Sequence, residues 1–407
     1  MKRILFIVNT MGRAGAETAL IMLLKRLDSM KKYKLYLYVI LPCGEMFDQV
    51  PDNVQILNKK VSRTPLDSLT GRMSICVVIL KAFFYRLNGI RMLGYLIGNW
   101  KEQKASGRKL QYDKLLWRIL SNGLPELEET YDLAVSYIEG ASAYYTAERV
   151  KAKHKAAFIH IDYENSGYTA FMDRGCYECM ERIFVVSNEV GDRFVHMYPK
   201  YRDKVRLFRN LLDRDGIREK AEAGIGFTDD YTGVRLVTVG RLHYQKGYDI
   251  AVKALSILRR KGYNVRWYVI GEGIERKNLE KLIKEYGVEE DFLLLGAKEN
   301  PYPFIRQADI YVQATRFEGK SIAVEEAQIL GKAILASDCT GNREQIISGY
   351  DGLLIPLDVE KLANALEQLI GNEDIREQYA KHVLEKKLDY PEDLDELLAL
   401  LGEGEMD

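Results

Sequence analysis

Segment 316–327 combines a charged turn with the start of a predicted helix. Glu318 stands directly before the small turn Gly319-Lys320-Ser321, and Glu326 follows eight positions later inside a helix predicted over 322–330. A helix N-terminus presents backbone N–H groups that have no intrahelical partner, which suits an anion. Further along the helix, Glu326 can accept hydrogen bonds from hydroxyl groups. This arrangement fits a ligand with a sugar, a phosphate and a ribose in a row, which is a nucleotide sugar.

A second group of charges lies upstream, after an apolar alternating stretch. Residues 235–239 predict a buried strand, and the loop that follows carries Gly240, Arg241 and Lys246. Two fixed cations near a helix N-terminus would stabilise the negative charge that develops on a diphosphate leaving group. The two glutamates alone fit an exposed acidic helix equally well, so this loop is what favours a phosphate-bearing ligand.

The ordered motifs resemble those of family-4 retaining glycosyltransferases, and more narrowly the bacterial members that build capsule or exopolysaccharide. The motifs are Gly240-Arg241-Leu242, Gln245-Lys246-Gly247, Gly271-Glu272-Gly273, Asn300-Pro301-Tyr302-Pro303 and the pair Glu318 and Glu326. The resemblance is close over about 235–358 and looser in the N-terminal half. It implies an α/β protein of the GT-B fold, in which two Rossmann-like parallel-sheet domains face a central cleft. It also implies retaining transfer of a hexose from a nucleoside-diphosphate sugar, with a UDP-sugar preferred, to a lipid-linked or oligosaccharide acceptor.

The resemblance implies a role for each matching residue. Arg241 and Lys246 would bind the diphosphate, Glu318 would face the sugar and Glu326 would take the ribose hydroxyls. The other donor-binding positions are Gly15, Gly240, Gly271, Lys298, Gly319, Lys320 and Ser321. The last three would supply backbone amides, although many relatives have Phe-Gly where this chain has Lys320-Ser321.

The N-terminal half carries fewer candidate residues. A glycine turn at 12–18 follows the first predicted strand, and Gly15 in it can approach phosphate or acceptor closely. His160 ends a predicted strand; a lone histidine there is more often structural, but the resemblance implies that it reaches the donor sugar. Asp162, which would orient His160 or bind acceptor, and Glu139 are candidates on the acceptor side.

No metal ion and no cofactor are expected, because Arg241 and Lys246 would supply the positive charge. Asp213 and Asp215 match a D-x-D pattern, but they fall in a predicted linker, 210–231, and follow no buried strand. No carboxylate is placed as a nucleophile, so attack on the face of the leaving group fits retention best. The alternatives are a sugar-nucleotide epimerase or hydrolase on the same fold, and a non-catalytic nucleotide-binding membrane-associated subunit. An NAD-dependent oxidoreductase is disfavoured because the glycine fingerprint is missing.

Composition indicates an ordinary globular protein of two domains. The chain has 407 residues, of which 47% are hydrophobic and 29% charged, and its formal net charge is zero. The five-residue apolar run near the N-terminus predicts a buried strand rather than a signal peptide. Five scattered cysteines predict a reducing cytoplasm and no disulfide framework. Cys176 and Cys179 are interpreted as two buried residues on one face of a helix predicted over 168–181.

The neutral total hides a basic segment at 62–120. It holds eleven Lys or Arg and three acidic residues, a net charge of +8, and the rest of the chain therefore carries −8. Lys81, Arg86 and Arg91 interrupt its apolar runs before they reach the length of a membrane span. Cations and aromatics interleaved with apolar residues predict an amphipathic segment on an anionic membrane surface, and thus a peripheral protein on the inner face of the membrane. A packed helical pair with a solvated basic edge is the alternative, and nucleic-acid binding is disfavoured for lack of a recognition motif.

Strand and helix patterns alternate along the chain, which predicts parallel α/β sheets. The predicted strands are 4–8, 35–41, 54–57, 133–137, 156–160, 183–187, 236–239, 265–270, 292–295, 310–313, 333–336 and 352–355. The predicted helices are 16–27, 141–150, 168–181, 188–198, 248–261, 275–286, 302–307, 322–330, 342–347 and 359–370. We expect an acceptor domain at 1–212, a nucleotide-sugar domain at 213–388, and a C-terminal helix within 389–407 that returns to the first domain.

Overall fold

The computed structural model describes residues 1–12, 14–64, 69–84, 88–107, 112–388 and 390–402. The chain divides into two compact units, Met1–Leu212 with Tyr390–Asp407, and Asp213–Asp389. Each unit is built on one sheet whose strands all pair in parallel, with helices between successive strands. The predicted class, two parallel-sheet α/β domains, is confirmed.

The sheet of the first unit has seven strands in the order β3-β2-β1-β4-β5-β6-β7. The strands are β1 (Lys2–Val8), β2 (Tyr33–Val39), β3 (Gln55–Ile56), β4 (Thr130–Ser136), β5 (Lys151–Ile159), β6 (Arg182–Val185) and β7 (Val205–Leu207). Residues 4–8 of β1 are fully buried, because β1 is central and both faces of a parallel sheet are covered by helices. The sequence patterns missed β7, which is only three residues long.

Among the described residues, six helices of the first unit precede its linker to the second. They are α1 (Gly15–Ser29), α2 (Leu69–Phe84), α3 (Asn88–Ser106), α4 (Tyr112–Asn122), α5 (Ala141–Arg149) and α6 (Asn188–Met197). The described part of the basic segment thus contains three helices, whereas the alternative to the predicted amphipathic segment was a packed helical pair. Arg86 of this segment lies outside the described residues. Asn88 ties the three helices together, since its side-chain amide donates to Ala82 O at 2.9 Å and to Ile119 O at 2.7 Å.

The helix predicted over 168–181 is wrong, because the segment folds into turns and a short 3₁₀ helix, Tyr177–Cys179. The backbone N–H groups of Ala170 and Phe171 donate to the Glu102 carboxylate of α3, and Gly175 has φ +79°, which a right-handed helix does not allow. Cys176 is buried whereas Cys179 is exposed, so the interpretation of both as buried residues on a helix face is also wrong.

A buried carboxylate holds this turn segment against the helices of the first unit. Asp173 accepts hydrogen bonds from the hydroxyls of Tyr144 (2.6 Å), Tyr163 (2.8 Å) and Tyr198 (2.6 Å). Burial raises the pKa of Asp173 to about 6, although the three hydroxyls act in the opposite direction. The site is a structural brace between α5, α6 and the segment that joins β5 to β6.

The sheet of the second unit has six strands in the order β10-β9-β8-β11-β12-β13. They are β8 (Val234–Val239), β9 (Val265–Ile270), β10 (Phe292–Leu294), β11 (Ile310–Gln313), β12 (Ala333–Ser337) and β13 (Leu353–Ile355). The helices are α7 (Arg214–Ala223), α8 (Tyr248–Arg260), α9 (Arg276–Glu285), α10 (Tyr302–Gln307), α11 (Ile322–Ile329), α12 (Thr340–Gln345), α13 (Val359–Ile370) and α14 (Glu373–Leu384). The strand order reverses at β8 and β11, and at such a reversal the loops at the carboxyl ends diverge to leave room for a ligand.

The segment predicted as a linker contains a helix. Asp213 caps α7, because its carboxylate accepts from Gly216 N at 3.0 Å, and the side-chain amide of Asn300 donates to Lys220 O at 2.7 Å. Charge and glycine content therefore misled the linker prediction, since α7 is a polar surface helix with only Ile217 and Ala221 buried.

The C-terminal helix α15 (Pro391–Leu398) belongs to the first unit. The Asp393 carboxylate accepts from Arg209 N at 2.7 Å, and the Arg209 guanidinium lies 3.9 Å from the ring centre of Tyr390. Leu394, Leu397 and Leu398 bury the inner face of this helix.

Candidate active site

The loop 240–247, here called the cation loop because it carries Arg241 and Lys246, follows the carboxyl end of β8 and is fixed in place by glycines. A Cβ on Gly271 would lie 2.0 Å from Gly240 O, and one on Gly247 would lie 2.0 Å from Ala314 O, so only glycine fits at either position. Gly247 has φ +61° and is the N-cap residue of α8, directly after Lys246. The loops that follow β8, β9 and β11 are therefore packed backbone against backbone.

Lys246, which is predicted to bind the diphosphate, and Glu318, which is predicted to face the sugar, contact each other in this site. Lys246 Nζ forms an ion pair with Glu318 Oε2, and both side chains are 16% exposed. Gln313, at the end of β11, donates from Nε2 to the same carboxylate oxygen at 3.5 Å and to Ser321 Oγ at 3.2 Å. The pairing joins residues 72 positions apart and holds the ammonium group at the edge of the sheet.

Arg241 differs from Lys246 because its side chain is exposed. It makes no ion pair or side-chain hydrogen bond within the described part of the chain. Burial lowers the pKa of the neighbouring His243, and the positive charges of Arg241 and Lys246 lower it further. The loop therefore presents positive charge to solvent at Arg241 and a half-buried, paired cation at Lys246.

A second amide side chain, that of Gln345, fixes the turn before α11. Gln345, on α12, accepts from Ser321 N at 2.9 Å and donates to Ser321 O at 2.8 Å. Ser321 Oγ caps α11 by accepting from Val324 N at 3.4 Å. The Ser321 amide that we predicted for a phosphate is thus engaged within the protein. Gly341 N also donates to Glu318 O at 2.9 Å, so α12 supports both ends of the turn.

The Lys320 side chain points into the unit. Its ammonium pairs with Glu325 Oε1 at 2.6 Å, and the two side chains are 8% and 4% exposed. The other oxygen, Glu325 Oε2, is buried and has no hydrogen-bond partner among the described residues. The Lys320 side chain is therefore a counter-ion for Glu325 of α11, and only the Lys320 backbone lies in the turn predicted to hold phosphate.

Glu326 is buried on α11. Its Oε1 accepts from the Tyr302 hydroxyl at 2.9 Å, across from α10. Burial raises the pKa of Glu326 to about 7, against the effect of the Tyr302 hydrogen bond, and the neighbouring Glu325 raises it further. Near neutral pH this carboxyl group therefore exchanges between the neutral and the ionised form.

The remaining donor-side candidates lie in the loop after β10. Gly296 has φ +75°, and its N-terminal neighbour Leu295 continues the pairing with β9 through Leu295 N to Val269 O at 2.9 Å. Lys298 and Glu299 are exposed beyond this point. The loop ends where Asn300 contacts α7, so its position is fixed at both ends.

The candidates of the first unit lie at the carboxyl ends of β1, β4 and β5. Gly15 begins α1, and the preceding Ala14 accepts from Thr18 N at 3.0 Å. Glu139 is buried, and its Oε2 accepts from His160 N at 3.0 Å. Asp162 instead forms a local turn, accepting from Glu164 N at 3.1 Å. Glu139 contacts the backbone of His160 and not its ring, so the two expected roles of Asp162, orienting His160 and binding acceptor, stay predictions.

Burial keeps the His160 ring neutral. It lowers the pKa of His160 to about 4, and the ring lies 5.1 Å from the ring centre of Tyr137. Its Nε2 atom is buried without a hydrogen-bond partner in the part of the chain that the structure describes. At pH 7 the imidazole therefore carries no charge; since a hydrogen bond with the Tyr137 backbone engages the ring, Nε2 is the atom left for one further hydrogen bond.

Asp213 and Asp215 lie at the start of α7 and not in a linker. Asp213 caps α7, and Asp215 is exposed in the first turn of the same helix, 3.9 Å from Arg218. Across the described ranges, no group of three or more His, Cys, Asp or Glu side chains could hold a metal ion.

Two residues of the site, Gln313 and Gln345, escaped the sequence reasoning, and Tyr302 entered it only as part of the motif Asn300-Pro301-Tyr302-Pro303. Gln313 and Gln345 position Glu318 and Ser321, and Tyr302 contacts Glu326. A polar residue at the end of a buried strand, as Gln313 is, was the available signal. Gln345 carried none, because its partner lies 24 positions away on another helix.

Comparison with known proteins places this site in a family. Residues 230–385 match the family described as glycosyl transferases group 1. This part of the second unit is therefore a group 1 glycosyltransferase domain, and the motifs 235–358 fall within it. The narrower assignment to family 4 stays a prediction.

Two curated relatives come from Campylobacter jejuni. The N-acetylgalactosamine-N,N'-diacetylbacillosaminyl-diphospho-undecaprenol 4-alpha-N-acetylgalactosaminyltransferase is 29% identical over 43% of this chain and 47% of its own length. The N,N'-diacetylbacillosaminyl-diphospho-undecaprenol alpha-1,3-N-acetylgalactosaminyltransferase is 23% identical over 90% of both chains. Against the first four relatives, the match spans between 36% and 47% of the relative's length.

A solved structure supports the fold assignment over the whole chain. The Anabaena protein HepE in complex with UDP and glucose matches with a TM-score of 0.69 and 16% identity, covering 99% of this chain and 100% of that one. The fold is that of the GT-B glycosyltransferases, as the sequence predicted.

Proposed function

Because residues 230–385 form a group 1 glycosyltransferase domain, we propose that the chain is a retaining hexosyltransferase of cell-surface polysaccharide synthesis. The donor is a nucleoside-diphosphate sugar, UDP-linked, and the acceptor is lipid-linked or an oligosaccharide. The observation that carries the proposal is the Lys246–Glu318 pair at the carboxyl edge of the second sheet, with exposed Arg241 on the same loop. The solved HepE structure is a complex with UDP and glucose, which supports the donor class, and two curated relatives are named for diphospho-undecaprenol substrates, which supports a lipid-linked acceptor.

The diphosphate is assigned to Arg241 and Lys246. Arg241 is exposed and carries a permanent charge suited to a phosphate oxygen. Lys246 is held by Glu318, so its ammonium is ordered before the donor arrives, and a diphosphate drawn to Arg241 gives it a second anion. Charge that grows on the leaving diphosphate is then stabilised by groups that need no rearrangement.

The sugar and ribose are assigned to the two glutamates. Glu318 lies beside Lys246 and accepts hydroxyls of the sugar, while Glu326, in the same helix region, accepts those of the ribose. Tyr302 occupies one oxygen of Glu326, so the ionised carboxylate keeps acceptor capacity for a ribose hydroxyl. A protonated Glu326 would turn one acceptor into a donor and weaken this contact.

The transfer step balances without a covalent enzyme intermediate. The bond from the anomeric carbon to the diphosphate oxygen breaks, and its electron pair goes to the diphosphate. The acceptor oxygen bonds to the same face of that carbon, and its proton passes to the leaving phosphate oxygen. The positive charge comes from Arg241 and Lys246, so no metal ion is assigned to the step. In the first unit, His160 is assigned to the donor sugar, and Glu139 and Asp162 are assigned to the acceptor.

A ligand panel and a product analysis test this function. Purified protein is heated with a series of UDP- and GDP-sugars, and the right donor should raise the unfolding temperature, because a ligand that binds only the folded state stabilises it. The chosen donor is then incubated with and without lipid-linked and soluble acceptors. A glycosylated acceptor is expected, whereas a free hexose or an epimerised donor, formed equally without acceptor, would favour the epimerase or hydrolase. No stabilisation by any nucleotide sugar would contradict the proposal.

A further inference from the structure

Helix α3 of the first unit carries an apolar stripe that the protein leaves uncovered. Ile90, Leu93, Ile97 and Trp100 are 64%, 56%, 57% and 60% exposed. They are spaced by three, four and three residues, so they lie on one face of the helix. Single exposed apolar side chains are common, but four on one face form a continuous surface that calls for a partner.

The opposite face of α3 is the one that packs on its own unit. Met92, Tyr95 and Leu96 lie against the core, and Asn99 is buried. A Cβ on Gly98 would lie 2.2 Å from the Phe171 ring, which shows how closely this face approaches the body of the unit. The opposite face of α3 therefore already packs against the core, and the exposed stripe is a separate apolar surface.

A second stripe lies on α2, the helix before it. Val77, Leu80 and Phe84 are 49%, 57% and 76% exposed and follow the same helical spacing. On the inner side, Ala82 is buried, and Val78 and Ile79 pack against the core. We call these two exposed stripes the outer face of α2 and α3.

The exposed charged side chains described on α2 and α3 are all positive. Lys81 on α2, and Arg91, Lys101 and Lys104 on α3, are exposed. Lys104 Nζ lies 5.5 Å from the ring centre of Trp100, so a cation sits directly beside the apolar stripe. The two helices contain one acidic residue, Glu102, and its carboxylate accepts from the backbone of Ala170 and Phe171 on the inner side.

We propose that the outer face of α2 and α3 docks on an anionic lipid surface. The apolar side chains would lie in the acyl boundary and the four cations at the headgroups, as in an interfacial amphipathic helix. A second copy of the chain is a poorer occupant, because the same surface would bring its four cations against themselves. No described helix is long and apolar enough to cross a membrane. The docking does not depend on the proposed function. The consequence that the acceptor is lipid-linked rests on the proposed function.

Vesicle binding by the full chain tests the docking. Protein is sedimented with vesicles of phosphatidylcholine containing phosphatidylglycerol, and with phosphatidylcholine alone, at low and high salt. We expect binding to the anionic vesicles that high salt weakens. Leu93→Glu with Ile97→Glu should raise the apparent Kd on the order of a hundredfold, because two apolar side chains leave the interface. Ile225→Glu with Ile347→Glu is the matched control, since both isoleucines are exposed on the second unit.

A charge variant and a fluorescence measurement separate the contributions. Lys81→Glu with Arg91→Glu should weaken binding to anionic vesicles about tenfold or more, with little change on neutral ones. In wild-type protein, brominated lipid should quench Trp100, which is 60% exposed, whereas Trp267 is 1% exposed and Trp117 packs partly buried against the core. Trp100→Phe should therefore remove most of that quenching. This readout does not depend on any charge-introducing variant folding correctly.

The outcomes are distinct from those of the donor experiment. Wild-type protein that does not bind anionic vesicles at low salt overturns the docking, and so does quenching that Trp100→Phe leaves undiminished. Self-association abolished by Leu93→Glu with Ile97→Glu, without vesicle binding, would assign the outer face to a second copy. Vesicle binding is measured without nucleotide sugar and donor stabilisation without lipid, so either proposal can fail while the other stands.

Discussion

Glu326→Gln is the substitution whose effect is best defined by the structure. The wild-type carboxyl group is buried, accepts from Tyr302, and titrates at about 7 instead of its ordinary 4.5. Between these two pH values the folded protein retains a proton that the unfolded chain releases. The stability that this group contributes is therefore fully present below about pH 4.5 and is lost as the pH rises through about 7.

The magnitude follows from the size of the pKa difference. Each pKa unit corresponds to about 1.4 kcal/mol, so the whole window amounts to about 3 kcal/mol. Glutamine keeps the shape and a carbonyl acceptor for Tyr302 but does not titrate. The variant should therefore gain stability relative to wild type by about 2 to 3 kcal/mol between pH 5 and pH 8.

Urea unfolding at a series of pH values measures this difference. Wild type, Glu326→Gln and Glu289→Gln are compared; Glu289 is an exposed glutamate in the turn before β10 and serves as the control. The Glu289→Gln curve should run parallel to wild type, whereas the Glu326→Gln curve should diverge upward with pH. Parallel curves for Glu326→Gln would refute the reasoning that burial raises this pKa.

Donor binding gives an independent readout of the same group. If the ionised carboxylate accepts a ribose hydroxyl, wild-type affinity for the nucleotide sugar should rise between pH 6 and pH 8 and then level off. Glu326→Gln should bind more weakly and lose this pH dependence. An unchanged pH profile in the variant would assign the effect to another residue and remove Glu326 from the ribose contact.

Three further outcomes are expected. Lys246→Ala should lower the transfer rate about a hundredfold, or about 3 kcal/mol of transition-state energy, while donor affinity falls less; near-normal turnover would remove Lys246 from the leaving-group site. Transfer should persist in excess chelator, and loss of activity that Mn²⁺ or Mg²⁺ restores would show that a metal ion takes part. Gln345→Ala should cost about 1 to 3 kcal/mol in urea unfolding, because it leaves Ser321 N and O without their partner, and should weaken donor binding; Gln345→Glu, which keeps the acceptor oxygen, should have the smaller effect on both.

Local pattern alone determined most elements of the second unit. Val265–Ile270, Ile310–Gln313, Tyr302–Gln307 and Val359–Ile370 have the bounds that the sequence predicted. Strands that are buried on both faces read as short apolar runs, and Gly or Asp marks the turns between them. The cation loop, the turn after Glu318 and the helix that carries Glu326 were predicted for the same reason, since they follow apolar strands. The burial of Glu326 was not predicted.

Where distant groups replaced local ones, the sequence reasoning failed. The turn segment 168–181 has a helical composition, but Glu102 takes two of its backbone N–H groups and Asp173 takes three tyrosine hydroxyls from the surrounding elements. The α7 helix was missed for the opposite reason. It buries little apolar surface of its own and forms with its Asp213 cap and its contact with Asn300.

Only the tertiary structure decided which charged and apolar groups meet. The pairing of Lys246 with Glu318 spans 72 positions, and that of Ser321 with Gln345 spans 24, so no spacing rule connects them. The spacing of the apolar residues of α3 places them on two opposite faces of the helix. Packing against the core covers Met92, Tyr95 and Leu96, and this leaves Leu93, Ile97 and Trp100 facing outward. The sequence determined that the helix is apolar and basic, and the fold determined which side of it meets solvent, because burial depends on what the rest of the chain places beside it.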